Sequence, residues 1–514
     1  MTLPPPDQSQ ASIPEGPSAR IKRVGIDTYQ QPVVYMRHDS SVCRSEGFES
    51  QSRVRIQLRD RQIIAILNVV MDGIVKPDEA GLSEVAWELL GARDGDIGHF
   101  SHPVPLVSLS YIRSKIYGNR LSAHEIEAIV QDIVSGRLAD VHLAAFLTAS
   151  ALNRLSNDEI IHLTGSMIKA GERLTWTQPK VMDKHCIGGL PGNRTSLIVV
   201  PIVAASGLII PKTSSRAITS PAGTADAMET LAPVNLSLDD IRRVIERENG
   251  CIVWGGSVNL SPADDVLIRV ERVLDLDSEG QLVASVLSKK ISAGSTHVVI
   301  DIPIGHTAKI RTHQAGESLA DQLREIGTAM GIDTKVVLTD GSQPIGRGIG
   351  PALEARDALA VLQRQDDAPA DLRDRALLIA GEILEQGGVA PLGKGAEHAG
   401  ALLSSGAALT KFEAICDAQG GMRTLPRSSF QRAILAHTAG RIENIDNRRL
   451  AKTAKLAGAP RAPAAGLKLR VRCGDLVNAG DELFVIHAEA AGELDYAMGY
   501  AMNNVDMIQI QEPL

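Results

Sequence analysis

Two donor-rich loops bracket one apolar segment between Asp183 and Glu229, and no other stretch restricts the fold as strongly. A basic pair, Lys184-His185, leads into the glycine-rich run Gly188-Gly189-Leu190-Pro191-Gly192-Asn193. Thr195 and Ser196 follow where a helix should begin, and the apolar run Leu197–Ile210 continues it. A second polar loop, Lys212–Thr224, then supplies two basic residues and a series of hydroxyls. Convergent backbone N–H groups, hydroxyl donors and a cation are what a small anion requires. The pattern therefore predicts a site for a small anion. Taken singly, a GGxPGN run also serves as a tight turn and a serine pair as a helix cap.

Composition narrows the partners. At 514 residues the chain is too long for one ordinary core and implies several domains. Aromatic residues make up 3%, too few for a base-stacking platform, and the formal charge of −8 disfavours a phosphate-backbone binder. The five cysteines are dispersed without a CxxC pair, as expected for free thiols in a reducing compartment and not for a disulfide frame or a zinc site. The first twenty residues lack the apolar core of a secretory signal, and Leu197–Ile210 is broken by Pro201, Ser206 and Gly207 before it reaches membrane-spanning length. The expectation is a cytoplasmic enzyme.

The chain reads as α/β multidomain. Residues 1–18 are rich in Pro, Ser and Gln and are expected to be disordered, and 19–100 to form a β-rich N-terminal domain. Ser122-Ala-His-Glu125 and Ser156-Asn-Asp-Glu159 are capping boxes ahead of amphipathic runs. They predict a helical bundle over 106–172, joined by 261–293. After residue 180 the alternation of Cys251–Trp254, Ala284–Ile291 and His297–Ile304 predicts a mostly parallel α/β domain, placed over 173–260 and 294–404, with the active-site cleft between it and the bundle. Residues 405–514 are expected to form an α+β domain. Its strand-and-turn pattern over Gly466–His487 predicts a β-rich, barrel-like region. Gln343–Glu354, glycine-rich after a predicted strand, is read as a closing loop or as a simple helix-leading turn.

The run KHCIGGLPGNRTS is similar to the KHS-T-GG…TS segment of the thymidine and pyrimidine-nucleoside phosphorylases. PKTSSRAITSPAGTAD resembles their second loop, and Arg269 with Ala284-Ser285-Val286-Leu287-Ser288-Lys289-Lys290 resembles their base-holding arginine and helix. The N-terminal domain and the wording of the second loop resemble the long-form subgroup, which includes AMP phosphorylases and bacterial chains called thymidine phosphorylases. The resemblance implies phosphate contacts at Lys184, Cys186, Ser196, Ser214 and Thr224, with Cys186 standing where the family has a serine. It implies base contacts at His185, Arg269, Ser285 and Lys289. The subgroup implies nucleotide contacts at Gly189, Ser215, Arg216, Ala217, Ile218, Thr219, Ser220 and Lys309, with Asp277, or else His185, as proton donor.

The resemblance implies phosphorolysis of a ribosyl–base bond, with inorganic phosphate as co-substrate, no cofactor, no metal, and at least a homodimer. Lys309 and the added hydroxyls Thr219 and Ser220 suit a 5′-phosphate, so a nucleoside 5′-monophosphate such as AMP is the expected substrate and thymidine the alternative. Other readings stay open on the residues alone. Asp277 lies in an ordinary acidic turn, and Arg269 can pair with Glu271 or Asp265. Asp264-Asp265 can mimic the metal pair of a phosphoribosyltransferase. The Gly474-Asp475…Gly480-Asp481 pattern is similar to that of lipoyl-type carriers, although no lysine sits near His487 to carry the group.

Overall fold

The computed structural model describes residues 16–511, apart from Gln30, Asn153, Ile218, Thr219, Asp275 and Asp277. These residues form two compact units, 16–110 with Asp132–Ala139, and Tyr111–Gln131 with 140–511.

The first unit is a closed barrel. Its strands are β1 (Ser18–Arg23), β2 (Val33–Arg37), β3 (Arg53–Leu58), β4 (Arg61–Val70), β5 (Glu79–Leu82) and β6 (Ile97–Ser101), in the order β1-β5-β2-β4-β3-β6. β3 alternates strictly, with Val54, Ile56 and Leu58 buried, so one face fills the barrel and the other meets solvent. Helices α1 (Ser41–Glu46) and α2 (Glu84–Leu90) belong to this unit, and Ser83 caps α2 by accepting from the Ala86 N–H. Of the tail expected at 1–18, residues 1–15 lie outside the described residues and Ser18 already belongs to β1.

Helices α3 (Ser108–Ile116) and α4 (Ala123–Val134) follow the barrel, and α5 (Asp140–Leu152) and α6 (Asn157–Lys169) continue the helical region. Both capping boxes form: Glu125 N–H donates to Ser122 Oγ at 3.4 Å, and Ser156 closes the same device with Glu159. Glu159 also accepts from Lys115 Nζ at 2.8 Å, a pair in which both side chains are buried.

The α/β layer of the second unit is built on β7 (Met182–Cys186), β8 (Ile210–Ser214), β9 (Gly250–Trp254), β10 (His297–Ile304) and β11 (Asp333–Asp340). The ladders β11-β10-β7 and β8-β9 are parallel, and a parallel bridge between Val181 and Ile209 joins them. Seven of the eight residues of β10 are buried, as a strand covered on both faces should be. Its helices are α7 (Ser196–Ala205), α8 (Thr224–Glu229) and α9 (Leu238–Glu248), then, after α10 (Pro262–Leu274) and α11 (Glu279–Ser292), which pack on α5 and α6 of the helical region, α12 (His313–Ala329), α13 (Pro351–Leu362), α14 (Ala370–Gly387), α15 (Gly395–Ser404) and α16 (Ala407–Ala418). Every residue of α7 from Ser196 to Ala204 is buried, so the apolar segment between the two loops is a central helix.

The C-terminal region is two antiparallel sheets. One runs β12 (Gly348–Ile349), β15 (Gly466–Leu469), β17 (Glu482–Ala488), β13 (Phe430–Leu435); the other runs β16 (Leu476–Val477), β14 (Gly440–Ile445), β18 (Ile508–Gln511). Helices α17 (Asn447–Leu456) and α18 (Ala491–Met502) complete it. The closed barrel is thus N-terminal, while the C-terminal strands divide between two sheets. The loop read as a closing segment contributes β12, which pairs with β15. Among the described residues no helix is long and apolar enough to cross a membrane.

Candidate active site

Lys184-His185-Cys186 ends β7 and Ser214 ends β8, both at the carboxyl edge of the parallel strands, where open α/β sheets bind their ligands. The Lys-His pair is therefore strand and not loop. Asp183 and Lys184 are buried in it with partners in hand. Lys212 likewise lies within β8 and donates to the Thr213 carbonyl at 2.6 Å, so the second loop begins only at Ser215.

Lys184 Nζ donates to Thr195 Oγ1 at 2.6 Å and to Ser196 Oγ at 3.3 Å, and no carboxylate pairs with it among the described residues. Burial lowers its pKa from the ordinary lysine value. Asp301 acts on this cation without pairing with it, and an arriving anion at the start of the buried helix supplies a direct counter-charge. The glycine run shapes the approach. Gly188, Gly189 and Gly192 all have φ between +76° and +92°, in the left-handed region. A Cβ on Gly192 would stand 2.0 Å from the Ile345 carbonyl oxygen, and one on Gly189 would stand 2.7 Å from the Lys309 amide nitrogen. The loop thus packs directly on Lys309 and on the segment leading to α13.

Arg194, which the sequence did not single out, ties three elements together. It forms a buried ion pair with Glu354 of α13, and its Nη1 donates to Thr224 Oγ1 at 3.0 Å. Glu354 in turn accepts the Gly350 N–H at 3.0 Å. Cys186 Sγ accepts from Asn193 Nδ2 at 3.2 Å, and Asn193 also donates to Asp301 Oδ2 at 3.1 Å. Burial, reinforced by Asp301, pushes the Cys186 thiol up to about 12, so it stays protonated.

In the second loop the Arg216 guanidinium is already engaged. It donates to both oxygens of Glu229, at 2.5 and 3.0 Å, and lies 4.9 Å from the Trp254 ring centre. Ala217 N–H and Gly223 N–H donate to Asp226 Oδ2, at 2.7 and 2.8 Å, and Ser220 Oγ donates to the Ala222 carbonyl at 2.8 Å. The Ser215 carbonyl accepts from Ala225 N–H at 3.4 Å. Ile218 and Thr219 lie outside the described residues, as does Asp277.

Among the residues expected to contact a base, Lys289 Nζ lies 2.5 Å from Asp264 Oδ2 and donates to Ser285 Oγ at 3.4 Å. Burial opposes the Lys289 charge, but Asp264 outweighs it and holds the ammonium above its ordinary value. Arg269 Nη2 donates to Asp140 Oδ1 at 2.6 Å, so its partner is on α5 and is neither Glu271 nor Asp265. Its Nε is buried without a partner. His185 is half-buried. Burial first, then the charges of Lys290, Lys212, Lys289 and Lys184, push its imidazole well below the ordinary value and keep it neutral.

The chain matches three family descriptions: the glycosyl transferase family helical bundle domain over residues 109–171, the glycosyl transferase family a/b domain over 178–409, and the pyrimidine nucleoside phosphorylase C-terminal domain over 441–507. It is 57% identical over 493 residues to a protein of Polaromonas sp. (strain JS666 / ATCC BAA-500), covering 96% of each chain. It is 58% identical to a protein of Legionella pneumophila (strain Paris), covering 96% of this chain and 95% of that one. Both relatives carry the name "Putative thymidine phosphorylase". Anthranilate phosphoribosyltransferase from Thermus thermophilus shares the fold, with a TM-score of 0.50, 21% identity, and coverage of 60% of this chain and 98% of that structure.

Proposed function

We propose a phosphorolytic reaction at this site, from the premise that the chain belongs to the thymidine and pyrimidine-nucleoside phosphorylase family and is a pentosyltransferase-type enzyme. In this reading phosphate enters the cradle of Lys184, Cys186, Ser196, Ser214 and Thr224. One of its oxygens bonds to C1′ of the sugar as the C1′–nitrogen bond breaks, and the bonding pair leaves with the base. The transition state has oxocarbenium character. Holding phosphate beneath C1′ accounts for much of the rate, since positioning alone can lower a barrier by about 7–11 kcal/mol in favourable cases. The observation that carries this reading is Lys184, 2% exposed and held by the hydroxyls of Thr195 and Ser196 with no carboxylate pairing with it among the described residues.

Arg269, Ser285 and Lys289 then hold the base. A neutral His185 serves there as a hydrogen-bonding group, which leaves Asp277 as the candidate donor of a full proton. The phosphoribosyltransferase reading is weaker because Asp264, half of the acidic pair it needs, is committed to Lys289.

The favoured substrate is a nucleoside 5′-monophosphate, giving free base and ribose 1,5-bisphosphate. Arg216 is committed to Glu229, and this reading assigns the 5′-phosphate to Lys309, whose backbone abuts Gly189 in the phosphate loop. Thymidine is the second reading, favoured by the names of the relatives. The test is a panel of thymidine, uridine, AMP, CMP and UMP, with and without phosphate, scored by free base released. The Lys309→Ala variant should lose monophosphate turnover selectively. Release of thymine with no turnover of any monophosphate would decide for the second reading.

A further inference from the structure

We propose that the cavity between α13 and the C-terminal sheet is a second anion site, built to bind the phosphate group of a small molecule. The cavity measures about 280 Å³ and is lined by Arg356 of α13, Arg427 and Ser428 ahead of β13, Lys468 and Arg470 at β15, and His487 of β17. No aspartate or glutamate lines it. Arg470 pairs with Glu482 at 3.1 Å on its exposed side, whereas Arg356, Arg427 and Lys468 have no carboxylate partner among the described residues. Asp357 acts on Lys468 without pairing with it. Positive charges gathered in excess of their counter-charge repel one another, and an anion between them relieves that cost.

His487 marks the spot independently. The residue is 8% exposed, its Nδ1 bonds Ser428 Oγ at 2.9 Å, and its Nε2 is buried with no partner among the described residues. When Ser428 donates to Nδ1, the proton resides on Nε2, and that N–H waits for an acceptor. Burial, then the charges of Arg356, Lys468 and Arg470, push the imidazole down to about 4, so at neutral pH it donates without adding charge.

The walls are fixed to one another. β12 pairs with β15 through Gly348 with Lys468 and Ile349 with Leu467, and Ala352 N–H donates to the Pro463 carbonyl at 3.0 Å. The volume falls below the roughly 300 Å³ at which pockets for drug-sized ligands begin, so the occupant is small. Forked guanidinium groups and one ammonium suit a phosphate dianion, free or esterified to a sugar. Glu354 stands two residues before Arg356 on α13, so this site and the Arg194–Thr224 contact share one helix.

The test is calorimetric titration of the full chain with inorganic phosphate and, separately, with ribose 5-phosphate. Three proteins are compared: wild type, Lys184→Met, and the double variant Arg356→Gln with Lys468→Gln. Wild type should bind two equivalents of at least one probe per chain. Lys184→Met should retain the equivalent that the double variant loses, and the tighter probe shows whether the phosphate is free or esterified. Arg470→Gln, at an exposed position, should weaken that same equivalent at least fivefold and covers the case in which the double variant does not fold. Loss of all binding in Lys184→Met, or wild-type stoichiometry in the double variant, overturns the proposal. Absence of phosphate-dependent base release in wild type, with the second equivalent still bound, would fault the phosphorolysis reading alone.

Discussion

Lys290 Nζ donates to Asp183 Oδ2 at 2.8 Å, and both side chains are almost wholly buried. The same carboxylate accepts from Ser295 Oγ at 3.2 Å and stands 3.9 Å from Lys212 Nζ. One anion therefore offsets two buried lysines. It also fastens β7, which carries Lys184 and His185, to α11, which carries Ser285 and Lys289. The residues proposed to hold phosphate and those proposed to hold the base are joined by this pair.

Replacing Asp183 by asparagine leaves Lys290 and Lys212 without their counter-charge. Removing one partner from a buried ion pair typically costs about 3–5 kcal/mol. Urea unfolding of Asp183→Asn should show a loss of that order, with Lys290→Met falling in the same direction. A loss below about 1 kcal/mol, the range of ordinary surface changes, would show that the pair is not what secures β7.

Cys186 is a thiol in the position of a donor. With its proton held to about pH 12, it should alkylate with iodoacetamide far more slowly at pH 8 than a free cysteine does. Serine is the stronger donor, and a net hydrogen bond of about 1 kcal/mol corresponds to roughly fivefold. Cys186→Ser should therefore lower the KM for phosphate by up to that factor with little change in kcat. A raised KM would place the thiol outside the phosphate contacts.

Much of this architecture is written locally in the chain. The boxes at Ser122 and Ser156, the buried strand His297–Ile304 and the apolar helix after Ser196 all depend on neighbours within a few residues, and these features are where the sequence placed them. The site's wiring is not local. Lys290 meets Asp183 across 107 positions, Arg269 meets Asp140 across 129, and Arg194 meets Glu354 across 160. A charged Asp-Lys-His run has no strand periodicity, so β7 is invisible until those distant partners neutralise it. The N-terminal barrel closes through a parallel pairing of β1 with β5, which alternation within either strand does not specify.

Acid should destabilise the protein through its buried and half-buried imidazoles. His185, His297 and His487 all lie below their ordinary value of 6.5 when folded, with burial as the leading cause. Below pH 6.5 the unfolded chain binds protons that the folded chain refuses. Stability is therefore full above that pH and is lost as pH falls through the window. For His487, with a folded value of about 4, the loss between pH 6.5 and 4 is on the order of 3 kcal/mol. Denaturant midpoints at pH 7.5 and 4.5 should differ less in His487→Gln than in wild type. An equal difference would mean that His487 is protonated alike in both states.

Gly189 sets the distance between the glycine loop and Lys309. Its φ of +79° is unfavourable for a residue with a side chain, and a Cβ there would stand 2.7 Å from the Lys309 amide nitrogen and 2.8 Å from its Cβ. Both contacts are too short to keep, and the nearer is to backbone, so Gly189→Ala must displace the Lys309 turn or the loop itself. Strain of this kind costs upwards of about 1 kcal/mol in stability. The functional consequence is the more telling one. If Lys309 receives a 5′-phosphate, moving its backbone should raise the KM for a nucleoside monophosphate more than the KM for inorganic phosphate, because Lys184, Thr195 and Ser196 are held by their own hydrogen bonds. Steady-state kinetics with each substrate varied in turn separates the two. Equal rises in both constants would show that the glycine shapes the cradle as a whole and not the seat of the substrate's phosphate.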